Sequence, residues 1–329
     1  MKKVPALLLS WEALLVALLL IGIVAGSVLS PFFLSSFNLE YALPSNIMEI
    51  AIMTLPMTLI IIAGEIDLSV ASVLGLTSVV LGLLWSRGYP MWLAIGAGLL
   101  VGLVAGYFNG LLVTKLALPS LVITIGTLAL YRGLAYVVLG DQAVSNFPVA
   151  FTNLGFGMIP GTQLPWSSLI FVILVVVFVV LVHVSRWGRQ LYAIGNNKEA
   201  ARFSGINVNR VKLLLFVLSG LIASLAGVIF TARFSSARPD NAVGFELTVV
   251  TVVLLGGVDI FGGRGSLLGV MLAIFVVGVL QNALSLVNIS GDIQSLAIGL
   301  LLIFSVLGPN VARSIQAVIA RRRLAAGRS

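Results

Sequence analysis

Apolar residues come in long blocks, and polar residues gather at the joints between them. A helix needs about twenty predominantly apolar residues to cross a bilayer. Blocks of that kind are Trp11–Leu29, Pro44–Ala63, Leu68–Trp85, Trp92–Val113, Ser120–Leu139, Ser167–Val184, Leu213–Ala232, Phe245–Val258, Leu267–Leu286 and Ile293–Leu307. The pattern predicts an all-α polytopic membrane protein with about ten transmembrane helices, built as one domain over residues 1–329. Phe245–Val258 is short and ends in Gly256-Gly257, which predicts a broken or re-entrant element buried in protein. The first block follows Met1-Lys2-Lys3 and is too long for the apolar region of a signal peptide, so an uncleaved first span is expected.

Within the blocks, small residues recur at helical spacing. Ala94, Gly98, Gly102, Gly106 and Gly110 line one face of the fourth, and Ser219, Ala223 and Gly227 do so in the seventh. Such stripes let two helix backbones approach closely in lipid.

One joint is unlike the rest. Residues 186–212 read RWGRQLYAIGNNKEAARFSGINVNRVK, with Arg186, Arg189, Lys198, Arg202, Arg210 and Lys212 against the single acid Glu199. Asn197–Phe203 holds helix formers, and Gly205 then ends the pattern as a C-terminal glycine would. A short amphipathic helix outside the bilayer is expected there. Two readings stand at this point: a loop that only fixes topology, or one that presents its helix to a partner.

Charge changes the picture by orienting the chain. Lys2, Lys3, Lys115, Arg186, Arg189, Lys198, Arg202, Arg210, Lys212, Arg264, Arg313, Arg321, Arg322, Arg323 and Arg328 fall on one side of a ten-span arrangement. Arg87, Arg132, Arg233 and Arg238 fall on the other. Basic loops stay cytoplasmic, so both termini and the loop 186–212 are expected inside. The longest outer joint, Gly140–Pro165, carries Asp141 and no Lys or Arg; its Gly, Pro, Asn and Phe predict an ordered loop.

Composition agrees and excludes. Apolar residues make up 60% and charged residues 9% of the chain, where soluble domains carry roughly half and a quarter. The net charge of +8 is split among short loops rather than gathered on one face, so nucleic acid is not an expected partner. There is no cysteine, and the single histidine, His183, lacks the companions a metal site needs. Gly262-Gly263-Arg264-Gly265-Ser266 is glycine-rich but has no Gly-Lys pair, so it is no phosphate loop. It reads as a tight inner turn. Catalytic groups are not assembled anywhere, and the chain is not expected to be an enzyme.

Other polar residues admit two uses each. Asp67 followed by Ser69 reads as a helix N-cap. Arg132 either snorkels to the outer surface or pairs with a carboxylate such as Glu49. Asn109, Gln281 and Asn282 either line a solute path or join helices.

Three stretches, in order, carry a family resemblance. Gly64–Ser72 resembles the GGIDLSVGS signature of ribose-type sugar permeases in ABC importers, departing at Glu65 and Ala71, where that family usually has glycine. Pro119–Gly140 is similar to the family's fifth-span segment, with its Gly126-Thr127 and Tyr131-Arg132-Gly133 steps. Leu255–Gly269 is similar to its GGRGS segment. Glu199-Ala200-Ala201, three residues and Gly205 resemble the EAA-type coupling loop, although Leu215-Phe216-Val217 depart from the pattern downstream.

The resemblance implies a bacterial inner-membrane permease subunit for a monosaccharide or sugar-like solute, of the autoinducer-2, rhamnose or pentose type. It implies a second permease subunit, an extracytoplasmic solute-binding protein and a cytoplasmic ATPase that holds the ATP, with no cofactor on this chain. Lys198, Glu199, Ala200, Ala201, Arg202 and Gly205 would form the docking element. Gly64, Asp67, Ser69, Gly262, Gly263 and Arg264 are its signature residues, and Glu49, Asn109, Arg132, Gln281 and Asn282 its candidates for the pathway. Ser236–Asp240 resembles the autoinducer-2 and rhamnose branch. The rival reading is a secondary carrier or channel that works alone.

Overall fold

The computed structural model describes residues 11–304 and 307. The basic residues near both ends, Lys2, Lys3, Arg313, Arg321, Arg322, Arg323 and Arg328, lie outside them, as do two residues of the last expected span.

Among the described residues the fold is helical throughout. Helices α1 (Trp11–Leu29), α2 (Leu43–Ile62), α3 (Val70–Ser86), α4 (Met91–Lys115), α5 (Ser120–Leu139) and α6 (Val149–Phe156) are followed by α7 (Trp166–Val179), α8 (Arg186–Asn196) and α9 (Lys198–Phe203). The chain then forms α10 (Val208–Phe234), α11 (Phe245–Leu255) and α12 (Leu267–Leu286), and α13 (Gly291–Phe304). Single turns of π-helix extend α2 backwards over Asn38–Ala42 and α7 forwards over Val180–Val184.

Seven segments are long and apolar enough to cross a membrane: Trp11–Leu29, Asn38–Ile62, Met91–Lys115, Ser120–Leu139, Trp166–Val184, Val208–Phe234 and Leu267–Leu286. Three of the ten expected spans, Val70–Ser86, Phe245–Leu255 and Gly291–Phe304, are shorter apolar helices. The first is short because Gly64–Ser69 stays non-helical and buries Asp67 and Ser69 inside the bundle. The second is buried from Thr248 to Leu255 and ends at Gly256, followed by Gly257 in the left-handed region. Its enclosure meets the demand that broken backbone at membrane depth be covered by protein.

Around α2, which is buried along nearly its whole length, pack α7, α10, α11 and α12. The stripe on α4 does what small residues permit. A Cβ on Gly102 would lie 2.2 Å from the Gly220 carbonyl oxygen, and one on Gly106 2.2 Å from that of Phe216. The facing stripe on α10 is therefore Phe216, Gly220 and Ser224. Ser219 and Gly227 turn the other way: Ser219 bonds Asp67, and Gly227 abuts Leu74 and Thr77 of α3.

Two elements were not anticipated as helices. In α8, Gly188, Leu191 and Ile194 are buried while Arg186 and Arg189 are exposed; an amphipathic eleven-residue helix has no apolar run to betray it. In the joint 140–165, α6 is a two-turn helix, and Val144 pairs with Ala237 as an isolated β-bridge. That joint is ordered, as its composition predicts.

Candidate coupling face and buried polar junction

The loop 186–212 folds as a helix–cap–helix unit. Ser185 caps α8, its Oγ accepting from the amides of Trp187 (3.1 Å) and Gly188 (3.3 Å). Asn197 ends α8 and caps α9, its Oδ1 accepting from Ala200 at 3.0 Å. The close of α9 is at Gly205, with φ +83° and open space where a Cβ would stand. Its amide donates to Arg202, and that of Ile206 to Ala201. Only backbone conformation demands glycine there. Lys198, Glu199, Ala200 and Arg202 are exposed, while Ala201 is buried. Glu199 and Arg202 form an ion pair at 2.9 Å, worth only about 0.3–0.5 kcal/mol on an exposed helix. Lys212, burial and Arg202 together push the Lys198 ammonium below its usual pKa.

This unit is joined to two of the signature stretches. The Tyr192 hydroxyl donates to the Gly265 carbonyl at 3.0 Å, and Asn196 Nδ2 donates to that of Gly263 at 3.3 Å. The Gly263 amide donates to Ile62, the last residue of α2, at 2.8 Å. Gly195 fits only without a side chain, since a Cβ would meet the Ile62 oxygen at 1.9 Å and the Gly263 nitrogen at 2.3 Å. Gly262 presses on Gly64, with φ +86° and a would-be Cβ 2.8 Å from the Gly64 Cα. Arg264 is exposed on this turn. Where the loop returns to the bundle, Lys212 forms a buried ion pair with Glu65. Glu65 is one of the two departures from the family signature.

Deeper in, Asp67 anchors a network drawn from four elements. Its Oδ1 accepts from the Ser69 amide (3.0 Å) and hydroxyl (2.6 Å), and its Oδ2 from the Ser219 hydroxyl of α10 (2.8 Å). Asn109 of α4 donates to Ser69 Oγ at 2.8 Å, and the Tyr131 hydroxyl of α5 lies 3.0 Å from Asn109 Oδ1. Ser120 and Thr124 of α5 hold the two polar backbone groups of Ile66. The hydroxyls of Ser69 and Ser219 and the Ser69 amide supply the hydrogen bonds that offset the burial of this carboxylate. The N-cap expectation is thus corrected. Ser69 occupies the cap position of α3 without a side-chain capping bond, and Asp67 instead ties α3, α4 and α10 together.

The far end of α10 carries a second buried pair. Glu49 takes a two-pronged contact from Arg233, at 2.7 Å to Nε and 3.2 Å to Nη2, and Arg233 stacks on the Phe234 ring at 4.2 Å. Glu49 therefore does not pair with Arg132. That guanidinium donates to the carbonyls of Pro239, Asn241 (2.8 Å) and Ala71 (3.3 Å), which pins the 235–244 connection to α3. Asn282 makes reciprocal bonds with Asn38 at 2.8 and 2.9 Å. Glu49, Asn109, Arg132 and Asn282 all bridge elements, while Gln281 is half-buried on α12. Sequence reasoning missed Lys212, Arg233, Ser219 and Tyr131 as partners. Only Glu65 gave a signal, as an acid where the signature has glycine.

With three signature stretches gathered at one junction, comparison with known proteins becomes decisive. The family described as branched-chain amino acid transport system / permease component matches residues 42–306. The chain belongs to this family. Similar curated proteins are the autoinducer 2 import system permease protein LsrD of Klebsiella pneumoniae subsp. pneumoniae, 37% identical over 92% of each chain, and the LsrD proteins of Escherichia coli O9:H4 and Shigella flexneri. Both of these are 36% identical over 95% of this chain and 96% of theirs. No solved structure matches. The permease is thus a multi-pass transport subunit of an ABC importer rather than an enzyme, and ATP is handled by a partner ATPase.

Proposed function

We propose that this permease forms the translocation path of a bacterial inner-membrane importer for autoinducer-2 or a related sugar-like solute. The substrate reading rests on the names of its LsrD relatives and on Ser236–Asp240. A second permease subunit completes the path, and an extracytoplasmic binding protein delivers solute. Residues 1–329 act as one transmembrane domain with ten crossings, the three shorter apolar helices included, and both termini are cytoplasmic. Glu49, Asn109, Arg132, Gln281 and Asn282 remain the polar candidates for lining the path.

The ATPase docks on the loop 186–212, chiefly on Lys198, Glu199, Ala200, Ala201, Arg202 and Gly205. One observation carries this reading: the α8–α9 unit is hydrogen-bonded to the Gly262–Gly265 turn, which is bonded in turn to the end of α2. A push on α9 is therefore passed to the central helix through the side chains of Tyr192 and Asn196 and the Gly263–Ile62 backbone bond rather than through a flexible linker. Two discrete packings of such a junction are what alternating access requires.

The test is ATP-dependent uptake into proteoliposomes holding permease, ATPase and binding protein. Labelled autoinducer-2, ribose and rhamnose are offered separately. Accumulation of autoinducer-2 above the two sugars is expected. Uptake of none of the three, or uptake without ATPase, would overturn the assignment, the latter in favour of a carrier.

A further inference from the structure

Among the described residues the two most exposed large hydrophobic side chains are Phe203, at 91%, and Phe261, at 84%. Neither lies on a membrane-spanning segment. Phe203 is the last residue of α9, and Phe261 stands on the turn between α11 and α12. Two phenylalanines presented to water at the polar end of a membrane protein forgo the stabilisation that burying an aromatic ring brings. The fold offers both no cover.

The Phe261 turn is also built to hold its ring out. Gly262 donates to the Asp259 carbonyl at 2.8 Å, Asp259 to that of Arg264 at 3.0 Å, and the Phe261 amide to Asp259 Oδ1 at 3.1 Å. Gly262, Gly263 and Gly265 all take positive φ, so the turn is closed by conformations that favour glycine. Its Gly263 carbonyl receives Asn196, one residue before the cap of α9. Phe261 is thus carried by the turn bonded at the N-terminal side of α9, and Phe203 ends that helix.

We propose that Phe203 and Phe261 are two apolar anchors of one ATPase-docking surface, with Phe261 as a contact point outside the coupling loop. This rests on the reading of α9 as the coupling element. The occupant follows from continuity and charge. Both rings belong to the unit that meets the ATPase, and the same loop and turn expose Lys198, Arg202, Arg210 and Arg264 against one exposed acid, Glu199, which is paired to Arg202, a net basic setting for an acidic partner. A central apolar contact with a charged border is how protein interfaces are commonly built. Engagement at both points would make the ATPase grip the α2–α12 side of the bundle as well as α10.

The chain contains no cysteine, so single thiols can report on the surface. Phe203→Cys, Phe261→Cys and, as a marker of the coupling helix, Lys198→Cys are prepared in nanodiscs of phosphatidylethanolamine and phosphatidylglycerol. Each is prepared as permease alone and as the complex co-purified with its ATPase. Labelling by a charged, membrane-impermeant thiol reagent is then timed. The proposal expects rapid labelling of all three in the permease alone. In the complex, labelling at 203 and 261 should slow about ten-fold or more, as for rings buried in an interface.

Slow labelling at 261 in the permease alone would mean that the ring sits among lipid headgroups, and would overturn the proposal. Protection at 198 and 203 without protection at 261 would overturn it while leaving the coupling role of α9 intact. Lack of protection at all three sites in an intact complex would remove both.

Discussion

At the scale of single residues, the two buried ion pairs bear the clearest consequences. Glu65–Lys212 and Glu49–Arg233 clamp α2 or its immediate extension to α10 at points separated by about 30 Å along α10, at 1.5 Å per residue. That is about the thickness of the hydrocarbon core. Lys212→Ala strands a carboxylate whose side chain is only 12% exposed, and the expected loss is about 3–5 kcal/mol. Removing Glu65 as well should restore much of it, because the stranded charge is gone. Thermal unfolding of the two single variants and the double variant in detergent checks this. Additive losses would show that the pair is not coupled.

Asp67 gives a second test at this scale. Asp67→Ala leaves the Ser69 and Ser219 hydroxyls without their shared acceptor, and about 1–3 kcal/mol should be lost. Asp67→Asn, which keeps one acceptor oxygen, should cost less. Equal melting of both variants would contradict the network.

At the scale of elements, glycines separate by what surrounds them. Gly106→Ala places a Cβ 2.2 Å from the Phe216 carbonyl, so α4 and α10 must part and the melting temperature in detergent should fall. Gly126→Ala meets open space on α5 and should be neutral or slightly stabilising, since alanine is the better helix former. Much of this level was legible in the chain. The blocks Trp11–Leu29, Ser120–Leu139 and Leu267–Leu286 coincide with α1, α5 and α12, because each is bounded by polar or turn-forming residues. The helix over Asn197–Phe203 and its glycine stop are also as the sequence predicts.

What stayed hidden has physical reasons. α8 buries only a narrow stripe, so an apolar window passes over it. The Asp67 junction joins residues more than a hundred positions apart, and nothing local in Ser219 or Tyr131 announces a shared partner. Arg132 illustrates the same limit. An arginine near a span end demands acceptors, but three backbone carbonyls satisfy it as well as a carboxylate would.

At the scale of the whole molecule, the junction of α8, the Gly262–Gly265 turn and the end of α2 is where the proposed coupling loop is bonded to the helical bundle. The Gly205 conformation is part of that arrangement. Gly205→Val should leave the bundle folded, because nothing packs where its side chain would go, yet strain the exit of α9 at φ +83°. The expected variant inserts normally, melts near the parent temperature and transports little. A large drop in melting temperature would instead assign Gly205 a role in the fold itself.

The central claim, that α9 is the ATPase contact through which transport is driven, is tested most directly by reversing its charge. Lys198→Glu with Arg202→Glu is purified from membranes alongside the parent, with the ATPase subunit co-expressed. The account predicts a permease that inserts and melts normally but retains little ATPase. Undiminished co-purification of the ATPase with the charge-reversed permease would contradict it.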